Sequence, residues 1–492
     1  MDPGLGERLA GWAEAFDRLQ ESARWRWGGS LAGAVLASPF FLTTPPDGLQ
    51  PVAWRCAGVA AWMAFAWVLG TLPTAVTALV PLFAFPLLGI RTIRETATAY
   101  ADPLLFLLVG GFFLGHAMQR VGLHERLVSL LLRPGWTRTS PRRVLLATMI
   151  AAATMSTFVS NTATVVMLLP LTTLLADRVG TPRSRSAFGL GLSFAASIGG
   201  VATPIGTFPN AVLVKMASEQ VGREVSFASW MLVGVPFVVL AVPIAWVIVG
   251  RWLLPARGAP VRPLPTPAWR SGEASVLGVL ALGVLGWVFR RPIDLGFVRI
   301  TGWSEALGMG KAVDDAWVAL GVAILLFLLP AGDRPLITFR EAERQMPWGV
   351  IFLLGGGFAL AEGLESTGLS TWLAGPVASM ADWPAPLLIA TVCLLVTGLS
   401  ELTSNTATTQ MVLPLLAAGA IAAGVDPLSW MVPATIAASC GFMMPISTPP
   451  NAIVAEGLHI PPRDMATTGL LLDVALVALA TVVGLVLVPL VL

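Results

Sequence analysis

Long apolar stretches alternate with short polar connections along nearly the whole chain. They fall at about 28–43, 52–70, 72–90, 101–122, 143–177, 186–218, 228–252, 273–290, 313–329, 348–369, 384–420, 429–457 and 468–492. Roughly 20 apolar residues cross the ~30 Å hydrocarbon core of a bilayer as a helix, so the pattern predicts a polytopic all-α membrane protein. Two stretches are too long for one crossing. At 1.5 Å per residue, a straight helix over 143–177 runs about 52 Å, and 384–420 is longer still. Each is interrupted near its middle by the same polar triplet, Ser160-Asn161-Thr162 and Ser404-Asn405-Thr406. Two half-length helices meeting at a polar tip form a re-entrant hairpin, which is allowed at membrane depth where protein or water surrounds it.

The basic residues agree with hairpins. Arg133, Arg138, Arg142 and Arg143 precede the first long stretch, and Arg178, Arg183 and Arg185 follow it. A single crossing should not be basic at both ends, whereas a hairpin returning to the cytoplasm should be. No Lys or Arg lies between Arg344 and Arg463, so both ends of the second stretch belong outside. About eleven crossings remain, with the N-terminus cytoplasmic and the C-terminus outside. The chain also repeats itself. GGFFLGHAMQRVGL at 110–123 matches GGFALAEGLESTGL at 356–369, SNTATVVMLLPL at 160–171 matches SNTATTQMVLPL at 404–415, and TPIGTFPNA at 203–211 matches MPISTPPNA at 444–452. An odd number of crossings separates the copies, which makes the repeat inverted. Inverted repeats with broken helices are the pattern of secondary transporters, with the binding site between the copies.

Composition removes the other broad classes. Of 492 residues 55% are hydrophobic and 12% charged, with mean hydropathy +0.78, against about 25% charged in soluble domains. A net charge of +2 spread over scattered clusters excludes a nucleic-acid binder, which concentrates basic residues on one face. Cys56, Cys393 and Cys440 lie far apart, as do His116, His124 and His459, so neither zinc ligation nor a disulfide framework is expected. No HExxH or GxSxG pattern is present, and the chain is not expected to be an enzyme. Residues 1–27 lack the basic-then-apolar pattern of a signal peptide. Trp12, Phe16 and Leu19 among mixed charges read instead as an amphipathic interfacial segment. Several of the 18 Trp, including Trp25, Trp230, Trp252 and Trp348, fall near span ends, as in an aromatic belt.

The chemistry concentrates at the two tips. Ser, Asn and Thr supply both donors and acceptors, and unwound backbone adds carbonyls. The returning half-helix points its positive end at the tip. Side-chain oxygens and carbonyls suit a small hard cation; N–H groups and a helix N-terminus suit an anion. Pro204-Ile205-Gly206-Thr207 and Pro445-Ile446-Ser447-Thr448 interrupt two further spans, each followed by Pro-Asn (Pro209-Asn210, Pro450-Asn451). Proline frees upstream carbonyls by lacking an N–H. Glu401 sits between Ser400 and the second triplet, where an acid can tune cation binding or pair with a base. His116 reads as a packed, hydrogen-bonded side chain rather than a proton relay.

With both triplets, the GTFPN and STPPN breaks and WGVIFLLGGGFALA at 348–361, the chain from about residue 28 onward resembles the divalent anion:sodium symporters, carriers of dicarboxylates, citrate or sulfate. The resemblance implies an elevator-type homodimer in the plasma membrane (the bacterial inner membrane), with two sodium sites per protomer and no organic cofactor. Carried over by position, Ser156, Ser160, Asn161 and Gly206 would hold one sodium ion. Ser400, Thr403, Asn405 and Ser447 would hold the other. Substrate would meet Ser160, Asn161, Thr162 and Thr207 from one repeat and Ser404, Asn405, Thr406, Thr448 and Pro449 from the other. The implied domains are scaffold segments 28–142 and 253–383 and transport segments 143–252 and 384–492. Phe208 departs from the symmetry, standing where the other half has Pro449. The expected activity is sodium-coupled symport of a small dicarboxylate of the succinate, malate or fumarate class; sulfate, citrate or sodium-independent exchange is the alternative.

Overall fold

The computed structural model describes residues 22–133, 140–255, 267–294 and 299–492. Most of the expected amphipathic segment 1–27 therefore lies outside the described residues; its last residues open the helix Ala23–Ala37. Among the described residues the protein is almost wholly helical, with two short antiparallel pairs, Ile293–Asp294 with Arg299–Ile300 and Pro330–Ala331 with Arg334–Pro335. Seven helices of the described residues are long and apolar enough to cross a membrane, and shorter apolar ones include Glu273–Val288, Asp315–Leu328 and Leu428–Ala438. The protein is a multi-pass membrane protein.

Each long stretch is split as its polar triplet predicts. The first becomes helices Pro141–Ser156 and Asn161–Val179, and the second Ala385–Leu402 and Asn405–Ala422. The breaks fall at 157–160 and 403–404, slightly before the triplets' centres, so Asn161 and Asn405 open the returning arms. Ser160 caps its arm, accepting from the Ala163 N–H at 3.3 Å. The other two interrupted spans are broken as well, into Ser184–Gly200 with Phe208–Gln220 and Leu428–Ala438 with Pro449–Gly457.

Ser184–Gly200 is the hub that positions the first hairpin. Every residue of it except Arg185 is buried, and it packs on both hairpin arms, on Phe227–Leu253 and on Pro449–Gly457. Small residues make this possible: a Cβ on Gly199 would lie 2.3 Å from the Ala153 carbonyl oxygen. Close backbone approach through small residues is how membrane helices gain packing energy where hydrophobicity no longer distinguishes neighbour from lipid. The largest core joins residues of the hairpins and broken spans. Two smaller clusters lie apart, one between Pro51–Leu69 and Trp348–Ser366 and one between Pro103–Val121 and Glu273–Val288.

The hydropathy pattern did not distinguish two short helices, Leu123–Leu132 and Leu369–Ala378. Each follows a span that ends on a left-handed glycine, Gly122 (φ 78°) and Gly368 (φ 76°). Glycine is needed there because a Cβ opposes that conformation. Both glycines lie in the repeated VGL and TGL ends of the first matching block.

Candidate functional site

The internal repeat is legible down to individual hydrogen bonds. In the first copy Ser156 Oγ lies 2.7 Å from the Asn161 carboxamide, and in the second Ser400 Oγ lies 2.8 Å from Asn405 Oδ1 and 2.6 Å from the Ala438 carbonyl oxygen. Asn210 Nδ2 donates to the carbonyls of Thr203 (2.7 Å) and Gly200 (3.1 Å), and Asn451 Nδ2 to those of Met444 (3.2 Å) and Gly441 (3.0 Å). Subtracting the numbers (451 − 210, 444 − 203, 441 − 200) returns 241 each time. Thr207 and Thr448 share one backbone conformation, φ −144° and ψ 146° against φ −143° and ψ 146°. The Pro-Asn pairs are thus more than kinks: proline starts the second half-helix, and the buried asparagine satisfies carbonyls that the break leaves without helical donors.

Around each tip, neutral oxygens converge. One carboxamide atom of Asn161 lies 2.7 Å from Ser156 Oγ, 3.1 Å from the Ala196 carbonyl and 3.3 Å from the Gly206 carbonyl. As nitrogen it donates to all three; as oxygen it completes a cradle that a hard cation can hold. Glycine keeps that space open, because a Cβ on Gly206 would lie 2.5 Å from the Gly200 carbonyl oxygen and 2.9 Å from that of Ser156. At the second tip Ser447 Oγ lies 2.6 Å from the Met444 carbonyl and 3.2 Å from that of Gly441. Among the described residues no group of three or more His, Cys, Asp or Glu could hold a metal. All-oxygen surroundings fit a hard cation rather than a transition metal.

Between the tips lies a cavity of about 790 Å³. Ser160, Asn161, Thr162 and Thr207 line it from the first repeat, and Ser404, Asn405, Thr406, Thr448 and Pro449 from the second. Gly206, Thr403 and Ser447 also reach it, while Ser156 and Ser400 are fully buried behind the tips. Four helices start at its wall: Asn161–Val179, Phe208–Gln220, Asn405–Ala422 and Pro449–Gly457. Their N-termini offer positive potential and free N–H groups to an anion. No Asp, Glu, Lys or Arg lines the cavity, and His116 is its one titratable side chain among the described residues. Phe208 enters the wall edge-on to Phe112, with ring centroids 6.0 Å apart, so the first-repeat side is the narrower one.

Of the two roles expected of Glu401, pairing with a base is not met among the described residues; its carboxylate accepts from the backbone N–H groups of Met443 (2.7 Å) and Met444 (3.1 Å), tying the second hairpin to the neighbouring break. His116 is a packed side chain with the Gln345 side chain as its hydrogen-bonding neighbour. Lys215 was missed altogether. It is 3% exposed, its Nζ 2.6 Å from Asp102 Oδ2, 2.6 Å from Glu219 Oε1 and 3.3 Å from Glu362 Oε1, and Arg91 pairs with Glu362 on the other side. The available signal was a lysine in a protein with only two, within an otherwise apolar half-helix.

Known proteins resemble the chain along most of its length. A family described as citrate transporter matches residues 61–435. The sodium-dependent dicarboxylate transporter SdcS of Staphylococcus saprophyticus is 34% identical, covering 94% of this chain and 92% of its own. SdcS of Staphylococcus aureus is 32% identical, covering 90% and 88%. Two solved structures share the fold. The YdaH transporter of Alcanivorax borkumensis has a TM-score of 0.58 at 18% identity, covering 79% of this chain and 86% of its own. MtrF of Neisseria gonorrhoeae, described as illuminating a class of antimetabolite efflux pumps, has 0.56 at 14%, covering 91% and 97%.

Proposed function

The chain belongs to the divalent anion:sodium symporter family, a family of transporters rather than enzymes, and from this we propose that it couples sodium entry to uptake of a C4-dicarboxylate such as succinate, malate or fumarate. The observation that carries the proposal is the convergence of both polar tips and four helix N-termini on one cavity with no charged side chain. In such a site a dianion is balanced by helix ends and by the coupling cations beside them. Two tips related by the inverted repeat favour a ligand with two separated anionic ends over a compact one. The two oxygen cradles are the proposed sodium sites, at Ser156, Ser160, Asn161 and Gly206 and at Ser400, Thr403, Asn405 and Ser447.

The membrane arrangement proposed with it has eleven crossings and two re-entrant hairpins, with the N-terminus in the cytoplasm and the C-terminus outside. The cavity also reaches Trp67, Gly70, Gln345 and Met346, which that topology puts on the cytoplasmic side, so this conformation is inward-open. By its resemblance to the family, a transport unit (143–252 with 384–492) moves against a scaffold (28–142 with 253–383) in an elevator-type homodimer; the packing of Ser184–Gly200 on both arms of the first hairpin and on Pro449–Gly457 supports the unit.

Sodium-dependent succinate uptake into proteoliposomes tests this directly. Asn161→Ala and Asn405→Ala should each abolish it while leaving the protein folded. Normal sodium-driven uptake by both variants would dismiss the sites. Saturable sulfate transport that C4-dicarboxylates do not inhibit would dismiss the substrate class.

A further inference from the structure

Lys215 joins elements that must separate if the molecule alternates its access. It belongs to the half-helix Phe208–Gln220, whereas Asp102 and Glu362 belong to the spans Pro103–Val121 (as its cap) and Trp348–Ser366. Its ammonium also lies 4.8 Å from the Phe358 ring centroid. A buried lysine in a protein interior needs such partners, and removing them leaves an uncompensated charge. This cluster therefore holds the outer end closed in the present conformation.

The internal repeat says what the same contact becomes when the two copies exchange conformations. The offset of 241 that relates the broken spans carries Lys215 onto Glu456, on Pro449–Gly457. The offset of 246 that relates the other matched block carries Glu362 back onto His116, on Pro103–Val121. Acid and base have traded places, yet the pair stays complementary. Neither member has an ion-pair partner among the described residues: Glu456 is exposed, and His116 has the neutral Gln345 side chain beside it. The cavity opens in this region, reaching His116 on one side and Pro449 and Pro450 at the start of the Glu456 helix on the other.

We propose that His116 and Glu456 meet in the outward-open state and latch its inner end, as Lys215 and Glu362 latch the outer end here. The latch rests on the alternating-access reading above, since inverted repeats alternate by exchanging the conformations of their halves. Its inner half carries a histidine where the outer half carries a lysine–carboxylate pair. The charged groups acting on His116 in this conformation are Arg120 on its own helix and Glu341 on Phe339–Gln345. Thr338, donating from its hydroxyl and N–H, holds the Glu341 carboxyl below the usual range, and Arg120 pairs with it at 3.0 Å. Glu273, Asp315 and Glu362 on the neighbouring spans are paired with Arg126, Arg290 and the Lys215–Arg91 cluster. Glu456 would bring a further carboxylate, so the outward state favours protonated His116. Its stabilisation is present at low pH and is lost as pH rises through the histidine's titration.

Two cysteine pairs in the full-length protein in membranes test the proposal, Lys215→Cys with Glu362→Cys and His116→Cys with Glu456→Cys, joined by a short bifunctional thiol reagent. Changing sodium and succinate should raise the yield of one pair as it lowers the other. In parallel, a reporter Gln345→Cys should react with a cytoplasmic, impermeant maleimide several-fold faster in His116→Ala and in Glu456→Gln, the latter at an exposed position that folding does not need. The rate should be several-fold slower in His116→Lys, with its pH dependence gone. If the Lys215–Glu362 pair responds to sodium while the His116–Glu456 pair never joins, the latch is wrong and alternating access stands. If neither pair responds, both are overturned.

Discussion

Asparagine does two different jobs at equivalent depth in this molecule. Asn210 and Asn451 are fully buried and spend their amide hydrogens on carbonyls of the two breaks. Asn161 and Asn405 instead turn a carboxamide toward a hydroxyl and the cavity. Truncating the first kind should cost stability, because each lost net bond is worth about 0.5–1.5 kcal/mol and buried carbonyls are left unpaired. Asn210→Ala and Asn451→Ala should therefore lose roughly 1–3 kcal/mol, read as a lowered melting temperature in detergent. Asn405→Ala, whose carboxamide meets the Ser400 hydroxyl and no break carbonyl among the described hydrogen bonds, should move that temperature less while abolishing sodium-dependent uptake. Thr162 and Thr406 pose a third case, as hydroxyls at the start of returning half-helices facing the cavity. A hydrogen bond to a charged group contributes about 1.5–3 kcal/mol, so Thr162→Val and Thr406→Val should raise the KM for succinate about ten- to a hundredfold. Sodium binding, followed separately by calorimetry, should survive.

At the scale of elements, glycine placement decides how closely the hairpins approach their supports. Gly199 brings Ser184–Gly200 against the first hairpin arm at a distance no Cβ tolerates, while a Cβ on Gly278 of Glu273–Val288 would meet nothing within 4 Å. Gly199→Ala must push backbone against backbone and should impair both thermal stability and uptake. Gly278→Ala should be neutral or slightly stabilising, since alanine favours helix more than glycine does. Equal effects of the two substitutions would show that the hub does not position the tip. Gly234 and Gly469 make matching approaches to the two breaks, where a Cβ would lie 2.5 Å from the Val201 and 2.2 Å from the Phe442 carbonyl oxygen.

Across the whole molecule, the connection between topology and mechanism is the inverted repeat. Cysteines placed beside Arg183 and at Gly424 should label from opposite faces of the membrane, the first from the cytoplasm. Labelling of both from one face would remove the basis for inversion. The same inversion accounts for an otherwise odd distribution of charge. Lys215, Asp102, Glu362 and Arg91 gather at one end of the protein, and Arg290, Asp315, Glu224 and Arg291 form a second network joining Asp315–Leu328 to the strand-linked loops. In the proposed topology both lie outside, opposite to the mouth of the cavity.

Hydropathy, the two Ser-Asn-Thr triplets and the repeat offsets were enough to read an all-helical membrane protein, two split long stretches and two broken spans. They were enough because each of those features is encoded within a dozen neighbouring residues, by apolar run length, a cap or a proline. The polar residues singled out at 160–162, 207, 404–406 and 448–449 each sit at a helix start that its own neighbours specify, and the tertiary structure brings those starts onto one cavity. Tertiary structure alone decided the partners that lie far apart in the chain. Glu401 found backbone N–H groups rather than a base, and Lys215 found Asp102 and Glu362 across more than a hundred residues. No local pattern carries that information, because which charges meet depends on how separate helices are brought side by side, and a buried charge is tolerated only where that assembly supplies its counterpart.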